Sequence, residues 1–268
     1  LQGNNITIDG KGYTITVEVA DYPGFIKNGD ASTTTPCKNC TIKNINVAVN
    51  GSGSLKDYGG WIGQRYFGRN INGGNILFKN CSSTGGINQY GGGISGSGTG
   101  KSMTNNSTIT FKNCYSTGSI GNYAGGISGR NTGKEMTSSS VTFYNCYSTG
   151  TIGLSGGGIS GETAGYNMNN SSILSAFNCY VIGSRAAHRS QGIHGFSSSS
   201  SATHSKCIFS LGKSDDITVT VDQPYGVWKD AYALITIGTS TANNDVTDVW
   251  HNPDASSSWI HRSSGQTD

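Results

Sequence analysis

One stretch of this chain is written several times over, and that repetition limits what it can fold into more than any other feature. STITFKNCYSTGSIGNYAGGISG (107–129) is preceded by NILFKNCSSTGGINQYGGGISG (75–96). It is followed by SVTFYNCYSTGTIGLSGGGISG (140–161) and by a worn copy, SAFNCYVIGSRAAHRSQGIHG (175–195). Two rows of residues measure the period independently. Cys81, Cys114, Cys146 and Cys179 stand 33, 32 and 33 residues apart. Trp61, Ile94, Ile127, Ile159 and Ile193, inside the glycine-rich box, step by 33, 33, 32 and 34. A fixed period of this length, filled with short apolar–polar alternations and turn residues, is one supersecondary unit stacked on copies of itself.

Within a unit, Ile109 and Phe111 alternate with Thr110 and Lys112, the period of a half-buried strand. A second short strand is expected at 125–129. No helical stripe of ten residues precedes the last sixty. The expected fold is therefore all-β, a right-handed parallel β-helix of about six coils. Equivalent residues stack at about 4.8 Å from coil to coil. The Cys row, with Cys40 as its first member, the Ile row and Phe78, Phe111 and Phe143 lie inside. Asn39, Asn80, Asn113, Asn145 and Asn178 form a row at the bend, where stacked amides can bond to one another. Phe177 stands two residues before its cysteine instead of three, so a bulge or short deletion is expected there.

The pairing of NCYSTGxI with a following GGISG resembles the GLUG-type repeat, a glycine-rich motif of large surface and adhesin-like proteins. The resemblance covers roughly 75–195. It implies a repetitive β-solenoid and a surface protein without a defined catalytic site. This chain departs from the usual form in carrying Ile-Ser in the box and longer polar insertions, 97–106 and 130–139, before the next strand.

Composition sets further bounds. Of 268 residues, 41 are glycine and 12% are charged, which with regular apolar rows excludes a disordered chain. A net charge of +3 gives no case for nucleic acid. No apolar run is long enough for a membrane span. The sequence starts at Leu1 in mid-pattern, as expected of a piece of a longer or processed product. Seven cysteines are odd in number; a row of one per coil reads as apolar filler. Cys37-x-x-Cys40, with no second pair and no nearby histidine, argues against zinc. Cys37 is then either free or a disulfide partner. The redox state of Cys37 and Cys207 does not follow from their positions.

Residues 1–209 read as the β-helix, with the best repeats at 75–195, and 210–268 as a strand and a C-terminal cap. Ile6, Ile8, Ile15 and Val17 mark a first coil, and Pro23–Ile26 stands where its box strand should be. Residues 50–60 should protrude from the second coil, and 197–201, five serines, should form a loop. Trp228, Trp250 and Trp259 concentrate in the cap, and Lys229–Ile235 could supply one or two helical turns.

The chemistry is sparse. β-Helix hydrolases and lyases need clustered carboxylates, yet from Lys79 to Phe209 only Glu135 and Glu162 are acidic. Glu162 follows GISG just as Arg130 does one coil earlier, which suggests an inter-coil ion pair. Asp215-Asp216 would point to opposite faces of a strand. His188, His194 and His204, with Arg185 and Arg189, lack a partnering carboxylate. No metal, cofactor or catalytic set is expected. Two surface features remain. Tyr115, Tyr147 and Tyr180 should stack on the outer face, where they either offer a platform for sugar rings or simply stabilise the stack. Asn105, Asn106, Asn169 and Asn170 head glycosylation sequons in polar segments. The reading is a non-enzymatic structural or adhesive module of an extracellular, cell-envelope or virion-surface assembly. Its partners would be other subunits, copies of itself among them, and glycans. The alternative is a polysaccharide-binding or polysaccharide-degrading β-helix.

Overall fold

The structure, a computed structural model, describes residues 1, 3–32, 36–182 and 192–196, and beyond these the strand backbones within 202–262. The strands are β1 (Thr7–Asp9), β2 (Thr14–Val17), β3 (Cys40–Lys43), β4 (Asn46–Val49), β5 (Asn75–Lys79) and β6 (Ser82–Ser83). They continue as β7 (Thr108–Lys112), β8 (Tyr115–Ser116), β9 (Ser140–Tyr144), β10 (Tyr147–Ser148), β11 (Ile173–Phe177) and β12 (Tyr180–Ile182). Then come β13 (Ala202–Ser205), β14 (Ile208–Ser210), β15 (Ile217–Val221), β16 (Ala233–Ile237), β17 (Val249–His251) and β18 (Ile260–Arg262). The odd strands β1 to β13 form one seven-stranded sheet and the even strands β2 to β14 another, both wholly parallel. This is a β-solenoid of about five turns within 1–182, and β13 and β14 carry both sheets into a further turn. Strands β15 to β18 make a separate antiparallel sheet. Residues 233–235 thus lie in a strand and not in the expected helical turn; 229–232, Trp228 and Trp259 lie outside the described residues.

The bends from β3–β4 through to β11–β12 are each made by one residue in the left-handed backbone region. Asn44, Asn80, Asn113, Asn145 and Asn178 have φ between 51° and 55°, a conformation asparagine tolerates better than other side-chain-bearing residues. The repeated NC pair therefore encodes the corner. Past the corner, the next residue turns into the core: Cys81, Cys114, Cys146 and Cys179 are fully buried with Phe78, Phe111 and Phe143. The phenyl rings stack at 4.9 and 5.0 Å.

Two rows differ from expectation in the second coil. Asn46 pairs with Ser82, so Ile45 fills the slot of Cys81 and Asn44 that of Asn80. Cys40 pairs with Ile76 instead, and is joined to Cys37 by a disulfide. Asn39 stands outside the bend row and donates to Asn5. Nor is there a bulge in the worn copy. Ala176 pairs with Phe143 and Phe177 with Tyr144, and Phe177 stacks on the Tyr144 ring at 5.2 Å. Alanine has taken the inner place and the phenylalanine is the outward neighbour, so the register runs on unbroken.

The remaining side of each coil is wound from segments read as strand or insertion. The box 125–129 is a bend held by single bridges at Gly125 and Ser128, not a strand. Within 97–106 and 130–139, Thr99, Met103, Thr132 and Met136 are completely buried. Thr99 and Thr132 bond Ser95 and Ser128 (2.7 and 3.0 Å) and the carbonyls of Gly96 and Gly129 (2.7 Å each). These segments line the core instead of projecting from it. The stretch 50–60 also stays in the coil: Leu55 is buried and bridges Tyr22, while the turns on either side of it, at Gly51–Ser52 and Asp57–Tyr58, bring Gly51, Ser52, Lys56 and Asp57 to the surface.

Candidate functional site

The bend row is a hydrogen-bonded chain with a definite end. Nδ2 of Asn44 donates to Asp9 Oδ1 (3.0 Å), that of Asn80 to Asn44 (3.1 Å), that of Asn113 to Asn80 (3.2 Å) and that of Asn145 to Asn113 (3.3 Å). Asp9 is the terminal acceptor. The Asn44 amide and the Lys11 backbone N–H hold its carboxyl far below the usual range, helped by the charges of Lys11 and Lys43. Asn178 lies in line, and its buried amide makes no hydrogen bond among the described residues.

Tyr115, Tyr147 and Tyr180 do form a ladder, with centroids 4.7 and 4.6 Å apart and rings within 5° of parallel. It is not an open platform: the three are only 9%, 5% and 3% exposed. Burial pushes the Tyr147 and Tyr180 phenols well up, and neighbouring ladder phenols add to the effect. The adjacent Ser116 and Ser148 face the core and pack on Gly93 and Gly126. The sugar-platform expectation for these tyrosines is therefore corrected: no ligand ring can reach their faces.

A second aromatic ladder, overlooked in the sequence, is half-exposed. Tyr58, Tyr90 and Tyr123 precede the glycine box in three successive coils and stack at 4.5 and 5.1 Å. Each adopts left-handed φ of 61° to 66°, an uncommon conformation for so bulky a residue. The signal was the Tyr-Gly or Tyr-Ala pair before each box. At its N-terminal end the ladder meets a groove of about 540 Å³ between the first two coils. There Arg65 lies over Tyr58 (4.2 Å) and Tyr66 (4.5 Å), and its Nη2 donates to the Tyr66 hydroxyl (2.9 Å). Lys27 and Lys56 line the same groove, with Asp30, Asp57 and Gln64.

Arg130 and Glu162 form the expected inter-coil pair at 2.8 Å. Glu135 binds Lys101 at 3.3 Å. Asn105, Asn106, Asn169 and Asn170 are exposed, and Asn106 and Asn170 line an open hollow of about 750 Å³. His194 Nδ1 lies 2.8 Å from Ser160 Oγ. Arg185, His188, Arg189, Cys207, Asp215, Asp216, residues 197–201 and the side chains of His204 and Trp250 lie outside the described residues. Among the described residues, no three His, Cys, Asp or Glu side chains converge to hold a metal ion, and no helix is long and apolar enough to cross a membrane. Comparison with protein families, with curated proteins and with solved structures finds no match.

Proposed function

We propose that this solenoid is a non-enzymatic structural or adhesive module of a surface assembly, whether extracellular, on a cell envelope or on a virus particle. The observation that carries this reading is how the polar side chains are used. The Asp9-to-Asn145 amide chain, the Arg130–Glu162 pair and the Thr132–Ser128 pair all bind the solenoid to itself. Three tyrosine or phenylalanine stacks run the same way, from coil to coil. Such a chain is a stiff rod whose stability accumulates by repetition. The resemblance to GLUG-type repeats supports the same role. Exposed sequon asparagines fit a glycosylated surface, and the partners would be other subunits or copies of this chain, with glycans as ligands.

The test is a polymer-cleavage and glycan-array screen on purified protein, with and without calcium, alongside its sedimentation. The expected result is binding or self-assembly with no bond cleaved. Release of reducing or unsaturated ends would overturn the structural reading in favour of a polysaccharide-degrading solenoid.

A further inference from the structure

The groove between the first two coils holds cations that the fold leaves uncompensated. Lys27 pairs with Asp30 at 3.3 Å, but neither Arg65 nor Lys56 forms an ion pair among the described residues. Both are exposed. Arg65 is also held still. Tyr58 and Tyr66 lie against its guanidinium, and the Tyr66 hydroxyl takes one of its five N–H bonds. Tyr58 is itself fixed by its stack on Tyr90 and Tyr66 by Arg69, 5.0 Å from its ring. A guanidinium immobilised in this way gives up little entropy when it takes a ligand. Its planar fork suits a carboxylate. The tyrosine faces are already occupied, so the groove offers charge and hydrogen bonds and not an open stacking surface.

We infer that this groove binds the uronate residue of an acidic polysaccharide, with Arg65 and Lys56 on the sugar carboxylate and Asp57 accepting from ring hydroxyls. The inference rests on the adhesive form of the function proposed above and names its ligand class. Asp57 favours a uronate over an acidic peptide: its charge repels the carboxylates of both, but each uronate brings several hydroxyl donors for it to accept from and a glutamate side chain brings none. The groove volume, about 540 Å³, falls in the range of small-ligand sites. Its exposed charges give an affinity that falls with added salt.

The experiment is calorimetric titration of the purified chain with short oligogalacturonates, with neutral oligoglucose and with poly-glutamate as comparators. Binding of the oligogalacturonate alone, weakened by salt, is expected. Loss of one charge-assisted contact corresponds to about tenfold in affinity, so Arg65→Ala and Lys56→Gln should each weaken binding by about that factor. Arg65→Lys, which keeps the charge and the stem but loses the fork, should weaken it less. Circular dichroism of each variant establishes that the coils persist, and Lys112→Gln, far along the solenoid, serves as the unchanged control. Should Arg65→Ala unfold the chain, exposed Lys56 carries the test. No binding, binding unaffected by Lys56→Gln, or equal binding of poly-glutamate would each overturn the inference. Oligogalacturonate cleavage would sink the structural reading while leaving the groove assignment intact. Silence in this titration with assembly observed by sedimentation would do the reverse.

Discussion

Asn113 does two jobs at one position, and they can be separated. It accepts left-handed φ (54°) at the corner, and its amide joins Asn80 to Asn145. Glycine would keep the corner and lose the amide; alanine would lose both. Net amide bonds are worth about 1 kcal/mol each, and a left-handed alanine adds about 1–2 kcal/mol. Asn113→Gly should therefore lower stability by about 1–2 kcal/mol and Asn113→Ala by about 2–4 kcal/mol, read from urea unfolding. Equal losses would mean that the backbone conformation contributes nothing. The buried tyrosines make a pH prediction. In the unfolded chain a phenol ionises near pH 10; in the fold Tyr147 and Tyr180 keep their protons to well above that. Their raised values thus contribute stability that is complete below about pH 10 and is lost as pH rises through the folded values. Absorbance of phenolate and circular dichroism, followed together, should show these rings ionising only as the coils melt. Tyr147→Phe should make the alkaline loss less steep. Ionisation of all tyrosines near pH 10 with the fold intact would refute the burial.

At the scale of the element, the glycine box is a place where backbones touch. A Cβ on Gly126 would run into the Gly158 carbonyl of the next coil and the Ser148 side chain. Gly86 is exposed and its nearest obstacle is the mobile hydroxyl of Ser119 at 3.3 Å. Gly126→Ala should cost several kcal/mol or prevent folding, as overpacking against backbone does, while Gly86→Ala should change stability by less than about 1 kcal/mol. Thermal melts of the two variants decide it. The elements were unequally legible in sequence. The long strands β5, β7 and β9 were plain because five residues suffice to display alternation. Strands such as β8 have two residues, Tyr115 and Ser116, and two residues do not fix which face is covered. Hence the tyrosines read as exposed. The third side of the coil was missed because its inner residues, such as Met103 and Met136, arrive through bends and bridges with no strand-like alternation; only the 33-residue spacing of Thr99 with Thr132 and of Met103 with Met136 marks them. Cys40 misled because a cysteine beside an asparagine matched the motif, while its coil has a second asparagine corner at Asn44-Ile45. The Arg65 groove was illegible for a different reason: it joins residues from two coils that only the winding brings together.

Over the whole molecule, each coil touches only its neighbours, so stability should vary along the axis. Strands β7 and β9 are paired on both sides, and Ile109, Phe111 and Val141 are completely buried between coils. Strands β1 and β2 are the outermost rungs of their sheets, paired on one side only, and their Ile8 and Ile15 are half-buried. The amide chain ends in the same coil, on Asp9. Protonating that carboxyl at low pH removes the charge that anchors its last link, and because its folded value is depressed, this contribution is present above the ordinary carboxylate range near pH 4 and is lost as pH falls through the folded value. Hydrogen exchange should therefore be slowest for the amides of β7 and β9 and faster for β1 and β2. Lowering the pH should widen that gap, because the first coil loosens before its neighbours do. Asp9→Asn keeps an acceptor for Asn44 without the charge, so in that variant the acid-dependent part of the gradient should vanish while the gradient itself persists. Uniform protection from the first coil to the central ones would instead mean that the coils open as one cooperative block, and that the chain of amides transmits stability along the rod from end to end.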